Sequence, residues 1–489
     1  MSVRQAVRFT TLATVASFIL SLISVVVVSR ILTPEEIGVF SVAVSVISYT
    51  HILRDFGVGQ YFVQLKEITR DHLRAGFTVM LLISWSMALI LFSLRVPLAA
   101  FFKHHGLETV FATLAINFLI LPFGSPIMSM LKREMRFDRL AIVSVMNSVV
   151  QVGVTVGTAL AGESYMSMAW GSIAGNAANV VLMSCMKPEI ALLTPTRRGL
   201  STVLSFGSKS SAGSLVGELG VSGPDLILGK TLGFTSVAIF SRASSLNNML
   251  LGKVNDIVRQ IFLPAFAQGI REGKRPADMY ADAMRLITGV TVPLLSALAI
   301  LAQPMILFFF GQQWQDAGAL ALYLCLYQIV RAPTEFASNA LIAGGHASTV
   351  LRSEAISQTS ILAILCLSVR LDLHTVVCLL PIASCIHFLS FGYALRSHYG
   401  LSHQALIAAV LPSYKLIPGT LAATGILEIA IRTGYWQPSA FLHLASASSL
   451  VACGYIWTLR RSGHPVREEL VRLVPPLSRL LGEPQTDAH

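Results

Sequence analysis

The chain has 489 residues, of which 54% are hydrophobic and only 12% are charged, and its mean hydropathy is +0.68. Because a soluble domain carries about 25% charged residues, this composition excludes a water-soluble enzyme, a disordered chain and a disulfide-rich secreted domain. The net charge of +11 is better explained by basic cytoplasmic loops than by nucleic-acid binding, since such loops are rich in Lys and Arg. The composition therefore predicts an all-α polytopic membrane protein.

Apolar stretches of ~20 residues, the length needed to cross a bilayer, follow one another from Phe9 almost to the end of the chain. The first stretch lacks the small-residue cleavage site of a signal peptide, so it is interpreted as a transmembrane helix. We predict fourteen transmembrane helices, centred on 9–29, 37–60, 75–94, 108–131, 140–161, 165–186, 203–228, 234–256, 284–303, 317–343, 350–369, 373–394, 404–430 and 440–459. Prolines within these spans predict local kinks, namely at Pro122, Pro126, Pro293, Pro333, Pro381, Pro412 and Pro418.

The loops between these spans alternate in charge. Basic residues are roughly four times as frequent in the N-terminal segment, the even-numbered loops and the C-terminal segment as in the odd-numbered loops. Since the basic side of a membrane protein is the cytoplasmic side, both termini are predicted to be cytoplasmic. No loop exceeds about 30 residues, which is too short for an independently folded domain.

Two short sequence matches suggest an internal duplication. Residues 29–43 (SRILTPEEIGVFSVA) align with 229–243 (GKTLGFTSVAIFSRA), and residues 97–102 (PLAAFF) align with 304–309 (PMILFF). Both matches link one span to the span six positions later, which predicts two halves with the same membrane orientation. Chance similarity between apolar sequences is the alternative explanation.

The duplication predicts two pseudo-symmetric six-helix bundles that face each other across a central cleft, a geometry suited to alternating access. The N-terminal bundle is assigned to 1–200 and the C-terminal bundle to 201–400. Two additional transmembrane helices follow over 401–459. The remaining segment, 460–489, is predicted to be a cytoplasmic amphipathic tail.

Several stretches resemble a known family of membrane transporters. They are SRILTPEEIGVFSVA (29–43), LRDFGVGQYFVQ (53–64), PDLILGKTLGFTSVAIFSRASSL (224–246), LPAFAQGI (263–270) and PLLSALAILAQPMILFFFGQQW (293–314). Together they resemble the polysaccharide transporter family, which is the Wzx-type oligosaccharide flippase branch of a superfamily that also contains multidrug extruders and lipid II flippases. The resemblance covers about the first 350 residues, and spans 11 to 14 carry no recognised motif.

The resemblance implies a function and a location. The substrate would be an undecaprenyl-pyrophosphate-linked oligosaccharide, moved from the cytoplasmic to the periplasmic leaflet of the bacterial inner membrane. The product would feed the assembly of exopolysaccharide, capsule or O-antigen. The chain would then be a transporter rather than an enzyme, with a polysaccharide polymerase and glycosyltransferases as candidate partners.

Ionisable residues inside the spans are the candidate functional residues, because a charge at the bilayer centre costs roughly 2.5–3.5 kcal/mol. A diphosphate-sugar head group is anionic, and arginine binds phosphate through paired hydrogen bonds. The cleft is therefore predicted to be lined by the basic residues Arg54, Lys209, Arg242 and Arg331. Aromatic side chains at four-residue spacing before Arg331 are predicted to pack against sugar rings; they are Tyr323 and Tyr327.

Several of these assignments have a structural alternative. Arg54 lies near the cytoplasmic end of its span and could extend to the membrane surface. Arg331 and Glu335, four residues apart on one helix, could simply neutralise each other. The tyrosine stripe could serve helix packing or the membrane interface.

The spans also contain carboxylates that could couple transport to a proton or sodium gradient. These candidates are Asp55, Glu218, Asp225 and Glu335. For Asp225 a structural role at a helix end is the competing interpretation. Amide side chains in the spans are expected to hydrogen-bond between helices, among them Asn117, Asn147, Gln151, Asn176 and Asn179.

The segment GPDLILGKT (223–231) differs from an ATP-binding loop, because five residues separate its glycines where that motif requires four. No zinc-ligand spacing and no hydrolase motif occurs in the sequence. We therefore expect neither ATP, nor a metal, nor another cofactor.

Two other functions remain as alternatives. An ion-coupled multidrug extruder of the same fold would line its cleft with acidic residues, whereas basic residues are at least as prominent here. A membrane glycosyltransferase or polymerase acting on polyprenyl-linked sugar would be expected to carry a large hydrophilic loop with paired acids. The C-terminal sequence VREELVRLVPPLSRLL predicts a short helix that is interrupted by Pro475 and Pro476 and attracted to anionic membrane lipids.

Overall fold

The computed structural model describes residues 3–55, 58–65, 68–191, 193–197, 199–433 and 440–473. Within these ranges the regular structure is helical and no strand occurs, which confirms the all-α class. The chain divides into two compact units, Met1–Ala238 and Ile239–His489. The predicted division into bundles at residue 200 stays a prediction.

Unit 1 consists of a helical array whose longest members are α4 and α10. Helix α2 packs against α10, and α7 packs against both α1 and α8. Its helices are α1 (Val3–Ile31), α2 (Pro34–Asp55), α3 (Val58–Gln64), α4 (Arg70–Phe102), α5 (Gly106–Ile120), α6 (Ser125–Arg133), α7 (Phe137–Leu160), α8 (Met166–Met186), α9 (Pro188–Ala191) and α10 (Leu200–Thr231). The unit boundary falls within the next helix, α11 (Phe234–Asn247).

Unit 2 is organised around the long helix α13, which packs against α14, α18, α19 and α20. Its other close pairs are α14 with α17 and α16 with α17. The helices are α12 (Lys253–Arg271), α13 (Pro276–Phe310), α14 (Gln315–Arg331), α15 (Ala337–Ala343), α16 (Ala347–Cys366), α17 (Leu373–Tyr399), α18 (His403–Tyr414), α19 (Ile417–Arg432), α20 (Ala440–Ser462) and α21 (Val466–Leu473).

The order of helices in unit 1 recurs in unit 2. In each unit a long helix is followed by a helix that breaks at a proline-containing 3-10 turn, then by a short helix and two consecutive helices that pack together. The breaks are Leu121–Phe123 after α5 and Ala332–Thr334 after α14. The matched sequences PLAAFF and PMILFF lie at the equivalent ends of α4 and α13. This recurrence agrees with the predicted duplication, and the symmetry axis itself stays a prediction.

Nine stretches in the described part of the chain are long and apolar enough to cross a membrane. They are Thr11–Ile31, Arg70–Phe102, Gly106–Phe123, Phe137–Leu160, Pro276–Phe310, Ala347–Val369, Leu373–Tyr399, His403–Ile431 and Phe441–Ser462. The chain is therefore a multi-pass membrane protein. The five other predicted spans fall on α2, α8, α10, α11 and α14, so the count of fourteen stays a prediction.

Side chains at the N-terminus of α2 cap the start of this helix. Glu36 accepts hydrogen bonds from the backbone N–H of Thr33 (2.7 Å) and from its hydroxyl (2.9 Å), and the Thr33 hydroxyl accepts from the Glu36 N–H. This capping box satisfies backbone donors that the helix leaves unpaired. The Ser164 hydroxyl also donates to Glu36. Burial alone would raise the pKa of Glu36, but these hydrogen bonds outweigh it and hold the pKa below its ordinary value.

The C-terminal helix α21 packs on the protein. Val466 is buried against Leu416 and Leu459, with Leu470 and Val471 beside it. Part of the apolar face of this helix therefore packs on unit 2, and the predicted attraction of the segment to anionic lipids stays a prediction. Val474, Pro475 and Pro476 lie outside the described residues.

Candidate functional site

The structure describes the side chains of eight of the ten residues predicted to bind substrate or a coupling ion. Asp55 and Lys209 lie in α2 and α10, but their side chains fall outside the description. Arg54 is half-buried in the last turn of α2. The remaining seven form one group in unit 1 and two groups in unit 2.

In unit 1 the two predicted acids share one face of α10, since seven residues make about two helical turns. The Ser45 hydroxyl of α2 donates to a carboxylate oxygen of Asp225 over 2.9 Å, and the Ser222 hydroxyl donates to Glu218. Tyr49 of α2 lies close enough to Glu218 for the two groups to interact electrostatically. The α2–α10 contact therefore holds two carboxylates among hydroxyl groups.

A second polar contact in unit 1 joins α5 to α8. The Asn117 amide donates to the Ser172 hydroxyl over 3.2 Å, and the Asn176 amide donates to the Asn117 carbonyl oxygen over 3.0 Å. The predicted hydrogen bonding between helices is confirmed for these two asparagines. Such contacts are worth about 1 kcal/mol each in membranes, so they serve helix packing.

In unit 2 Arg242 of α11 is buried, with 8% of its surface exposed. Its guanidinium carbon lies 5.4 Å from the ring centre of Trp314 and 5.8 Å from that of Phe310. These rings flank Gly311, whose φ of 102° is a conformation that favours glycine. Among the described residues, Arg242 Nε has no hydrogen-bond partner. The turn in FFFGQQW thus places two aromatic faces beside a cation that retains hydrogen-bonding capacity.

A buried polar network in unit 2 contains the other predicted residues. Arg331 donates from Nε to Glu335 over 2.9 Å and from a terminal nitrogen to the Tyr327 hydroxyl over 3.0 Å. The side chains of Arg331 and Glu335 are 18% and 21% exposed. The structure thus supports the mutual neutralisation of this pair. Tyr323 lies one turn earlier on α14 and is half-buried.

Three residues of this network were not among the predicted site residues. Glu354 of α16 and His387 of α17 both interact electrostatically with Arg331. The Tyr280 hydroxyl of α13 donates to the Pro333 carbonyl oxygen over 3.0 Å. It also interacts electrostatically with Glu335. The signal that could have found Glu354 and His387 is their position inside predicted spans, where ionisable residues are rare and functional.

Unit 2 also contains an apolar cavity of about 340 Å³ between α13, α19 and α20. Side chains such as Leu294, Leu298 and Val451 line it, and its few polar side chains are Thr420, Ser448 and Tyr455. A cavity with this lining suits a hydrocarbon chain rather than a sugar, because apolar surface is removed from water favourably.

Comparisons with known proteins give the family. A family model described as a polysaccharide biosynthesis protein matches residues 27–319. The teichuronic acid biosynthesis protein TuaB of Bacillus subtilis (strain 168) is 20% identical over 479 residues, which cover 96% of this chain and 98% of TuaB. The succinoglycan biosynthesis transport protein ExoT of Rhizobium meliloti (strain 1021) is 24% identical over 338 residues, covering 68% of this chain and 67% of ExoT. The lipopolysaccharide biosynthesis protein WzxC of Escherichia coli (strain K12) is 20% identical over 338 residues, covering 68% of this chain and 69% of WzxC.

Solved structures give the fold. The lipid II flippase MurJ in an inward closed conformation superposes with a TM-score of 0.73 at 13% identity, covering 92% of this chain and 97% of that chain. An inward-facing multidrug resistance MATE family transporter superposes with a TM-score of 0.64 at 14% identity, covering 82% of this chain and 96% of that transporter. At these identities the likeness concerns the fold alone. Because the family model matches more than half of the chain, the protein belongs to the polysaccharide biosynthesis protein family, as its motifs predicted.

Proposed function

We propose that the protein is a flippase that moves an undecaprenyl-pyrophosphate-linked oligosaccharide from the cytoplasmic to the periplasmic leaflet by alternating access. It acts in the bacterial inner membrane with both termini in the cytoplasm, and its product feeds exopolysaccharide, capsule or O-antigen assembly. The names of its relatives support this class of pathway, since they refer to teichuronic acid, succinoglycan and lipopolysaccharide. A polysaccharide polymerase and glycosyltransferases are the proposed partners.

Arg242 is the observation that carries this proposal. A buried guanidinium is costly in a membrane unless a partner offsets its charge, and its described contacts are two aromatic rings. A diphosphate would supply the charge and the acceptor oxygens that Arg242 Nε lacks. The aromatic faces hold the guanidinium in place without consuming its hydrogen-bond donors.

Other features of the chain fit the rest of such a substrate. The apolar cavity between α13, α19 and α20 suits part of a polyprenyl chain. Arg54 and Lys209 are proposed to join Arg242 in binding the head group, and Tyr323 and Tyr327 to contact the sugars. Arg331 has a smaller part in this proposal, because Glu335 already neutralises it.

The test is the export of polymer by cells that carry Arg242 variants. Arg242→Ala should lower export by about tenfold or more, since a hydrogen bond to a charged group contributes about 1.5–3 kcal/mol. Lipid-linked oligosaccharide should accumulate in the membrane, while the amount of flippase stays unchanged. Arg242→Lys should lower export less than Arg242→Ala does, because lysine keeps the charge but loses the planar pair of donors.

Arg95→Ala is the matched control. Arg95 lies in α4 and pairs with Glu108, so its loss should leave export at the wild-type level. Normal export and no accumulation of the lipid-linked precursor in Arg242→Ala cells would overturn the proposal.

An ion-coupled multidrug extruder is the second candidate, and the carboxylates Asp225 and Glu218 on α10 favour it. Carboxylates attract the organic cations that such extruders carry. Cells that overproduce the protein would then exclude a cationic dye faster than control cells, and Asp225→Asn would remove this effect. An unchanged rate of dye exclusion would leave the flippase as the better account.

A further inference from the structure

Helix α1 of unit 1 exposes two faces of opposite character. The first face consists of large apolar side chains that are all exposed, namely Leu12, Val15 and Ile19. Thr14, Ser17 and Ser21 each follow one of these residues by two positions, and so lie about 200° further around the helix. Thr14 and Ser21 are exposed and Ser17 is half-buried. Since a helix surrounded by lipid is apolar on every side, the hydroxyl face of α1 indicates a second, polar environment.

Helix α7 repeats this arrangement and packs against α1. Its exposed apolar face carries Ile142, Met146 and Val149. Polar residues again follow these by two positions, namely Ser144, Ser148 and Gln151. The hydroxyl groups of Ser17 and Ser144 lie 3.3 Å apart, so the polar faces of the two helices adjoin. Together these faces form what we call the polar stripe, which consists of Thr14, Ser17, Ser21, Ser144, Ser148 and Gln151.

Gln151 indicates that the polar stripe does not face lipid. This residue lies nine positions, or about 14 Å, before the end of α7, within an apolar stretch long enough to cross the membrane. Ser148 donates its hydroxyl hydrogen to the Ser144 carbonyl oxygen over 3.0 Å, which lets a serine sit in an apolar environment. The Gln151 side chain is exposed, and an amide exposed to hydrocarbon is strongly unfavourable.

Close packing against α8 fixes the direction in which the polar stripe points. A methyl group added at Gly171 of α8 would overlap the Thr155 hydroxyl of α7. One added at Gly175 would lie 2.8 Å from the Asn147 carbonyl oxygen and 2.9 Å from the Gln151 Cβ. Because α7 and α8 interlock in this way, α7 cannot rotate about its axis to turn Gln151 toward another environment.

The chemistry of the polar stripe favours a neutral ligand. No Asp, Glu, His, Lys or Arg occurs from Phe9 to Ser29 or from Leu140 to Gly162, so these stretches of α1 and α7 offer polar groups without a charge. Hydroxyl and amide groups both donate and accept hydrogen bonds, as the hydroxyl groups of a sugar do. A diphosphate or an organic cation would find no counter-charge on these stretches.

We propose that the polar stripe binds the sugar residues of the lipid-linked oligosaccharide through hydrogen bonds to their hydroxyl groups. Gln151 has the largest part in this site, because its amide offers two donors and an acceptor and can bind two neighbouring hydroxyl groups of one sugar ring. The inference rests on the proposed function and deepens it, since it gives the neutral part of the substrate a site in unit 1.

The first measurement is the reaction of single cysteines with a charged thiol reagent that is present on both sides of proteoliposome membranes. The background is the full-length protein with its six cysteines replaced by alanine, in a form that still supports export. Gln151→Cys and Ser21→Cys should react about tenfold faster or more than Met146→Cys and Ile19→Cys on the apolar faces, because a thiol ionises and reacts in water rather than in lipid.

The second measurement tests whether a sugar occupies the polar stripe. One set of vesicles receives lipid-linked oligosaccharide extracted from cells of the native organism that lack the flippase gene, and a parallel set receives undecaprenyl diphosphate, which carries no sugar. The oligosaccharide lipid should slow the labelling of Ser21→Cys about threefold or more, because a bound ligand covers its site. Undecaprenyl diphosphate should leave the labelling unchanged. Adding Gln151→Leu to Ser21→Cys should remove the protection.

Polymer export gives an independent readout in cells. Gln151→Leu should lower export roughly two- to tenfold, the loss expected for a neutral hydrogen bond, and Gln151→Asn should lower it less because it keeps the amide. Val149→Leu is the matched control, since Val149 lies on the apolar face of the same helix; its export should equal that of the wild type. Immunoblots confirm that the amounts of protein are equal.

Labelling of Gln151→Cys and Ser21→Cys as slow as that of the apolar-face cysteines would overturn the proposal, because the polar stripe would then face lipid. Absent protection, equal protection by undecaprenyl diphosphate, or protection that survives Gln151→Leu would also overturn it. Failure of the proposed function would instead appear as normal export in Arg242→Ala cells. If export is blocked in those cells and the oligosaccharide lipid gives no protection, the flippase stands and only its sugar site in unit 1 is removed.

Discussion

Gly38 of α2 lies directly against the backbone carbonyl of Phe234, the first residue of α11. A methyl group at this position would overlap the carbonyl oxygen and the carbonyl carbon of Phe234. A steric constraint thus explains why glycine occupies this position of the motif PEEIGVF, because only a residue without a Cβ lets the two backbones approach this closely.

Gly38→Ala should therefore destabilise the protein, by about 1–3 kcal/mol if the neighbouring backbone has to shift. The measurement is thermal unfolding in detergent. Gly157→Ala in α7 is the matched control, since nothing lies within 4 Å of a Cβ added there. A melting temperature for Gly38→Ala equal to that of Gly157→Ala would show that α11 can move away without cost.

A buried histidine attaches the C-terminal helix α21 to unit 2. His464 is 2% exposed; its Nδ1 accepts from the Val466 N–H over 3.2 Å, and its Nε2 lies 3.1 Å from the Ser413 hydroxyl. Burial lowers the pKa of His464, and the positive charge of Arg285 lowers it further. The folded state therefore favours the neutral ring.

This histidine predicts release of α21 in acid. A group whose pKa is lowered on folding contributes stability above its ordinary pKa and loses it as the pH falls through the folded value. The protection factors of the Val466–Leu473 amides, which correct for the intrinsic pH dependence of exchange, should thus be high at pH 7.5 and lower below about pH 6. Ser413→Ala should lower the protection factors already at pH 7.5, whereas His374→Gln, at an exposed position, should not. Protection factors that are independent of pH in the wild type would contradict this role for His464.

Stability measurements can distinguish a structural role of the Arg331–Glu335 pair from a role in binding substrate. Arg331→Met leaves the Glu335 carboxylate without its ion-pair partner, and removing one member of a buried pair costs about 3–5 kcal/mol. The double variant Arg331→Met with Glu335→Gln should recover most of this loss, because neither residue is then charged. Thermal unfolding of the two variants and the wild type gives the comparison. A stable Arg331→Met protein that fails to export would instead favour direct binding of substrate.

Local sequence features predicted the local structure. The apolar runs of α4 and α13 and the i, i+4 pairing of Arg331 with Glu335 depend on residues that are close together in the sequence. Helical spacing decides such contacts, so they can be inferred without knowing the fold. The family motifs were also sufficient to predict the family.

Contacts between distant segments could not be predicted in the same way. Ser45 binds Asp225 across 180 positions, and Trp314 reaches Arg242 only because the turn at Gly311 directs it there. Glu354 and His387 belong to the network around Arg331 because α16 and α17 pack beside α14. An apolar pattern shows that a helix is buried in lipid or protein, but it does not specify which neighbour covers each face.

The sequence by itself therefore determined that this is an all-helical membrane protein of the polysaccharide biosynthesis family, since hydropathy, helix signals and motifs are all local properties of the chain. Only the tertiary structure decided that Arg242 is buried beside the rings of Phe310 and Trp314 and that an apolar cavity lies between α13, α19 and α20. The physical reason is that charge compensation and cavity shape depend on which helices pack together, and helices of similar composition can pack in many ways.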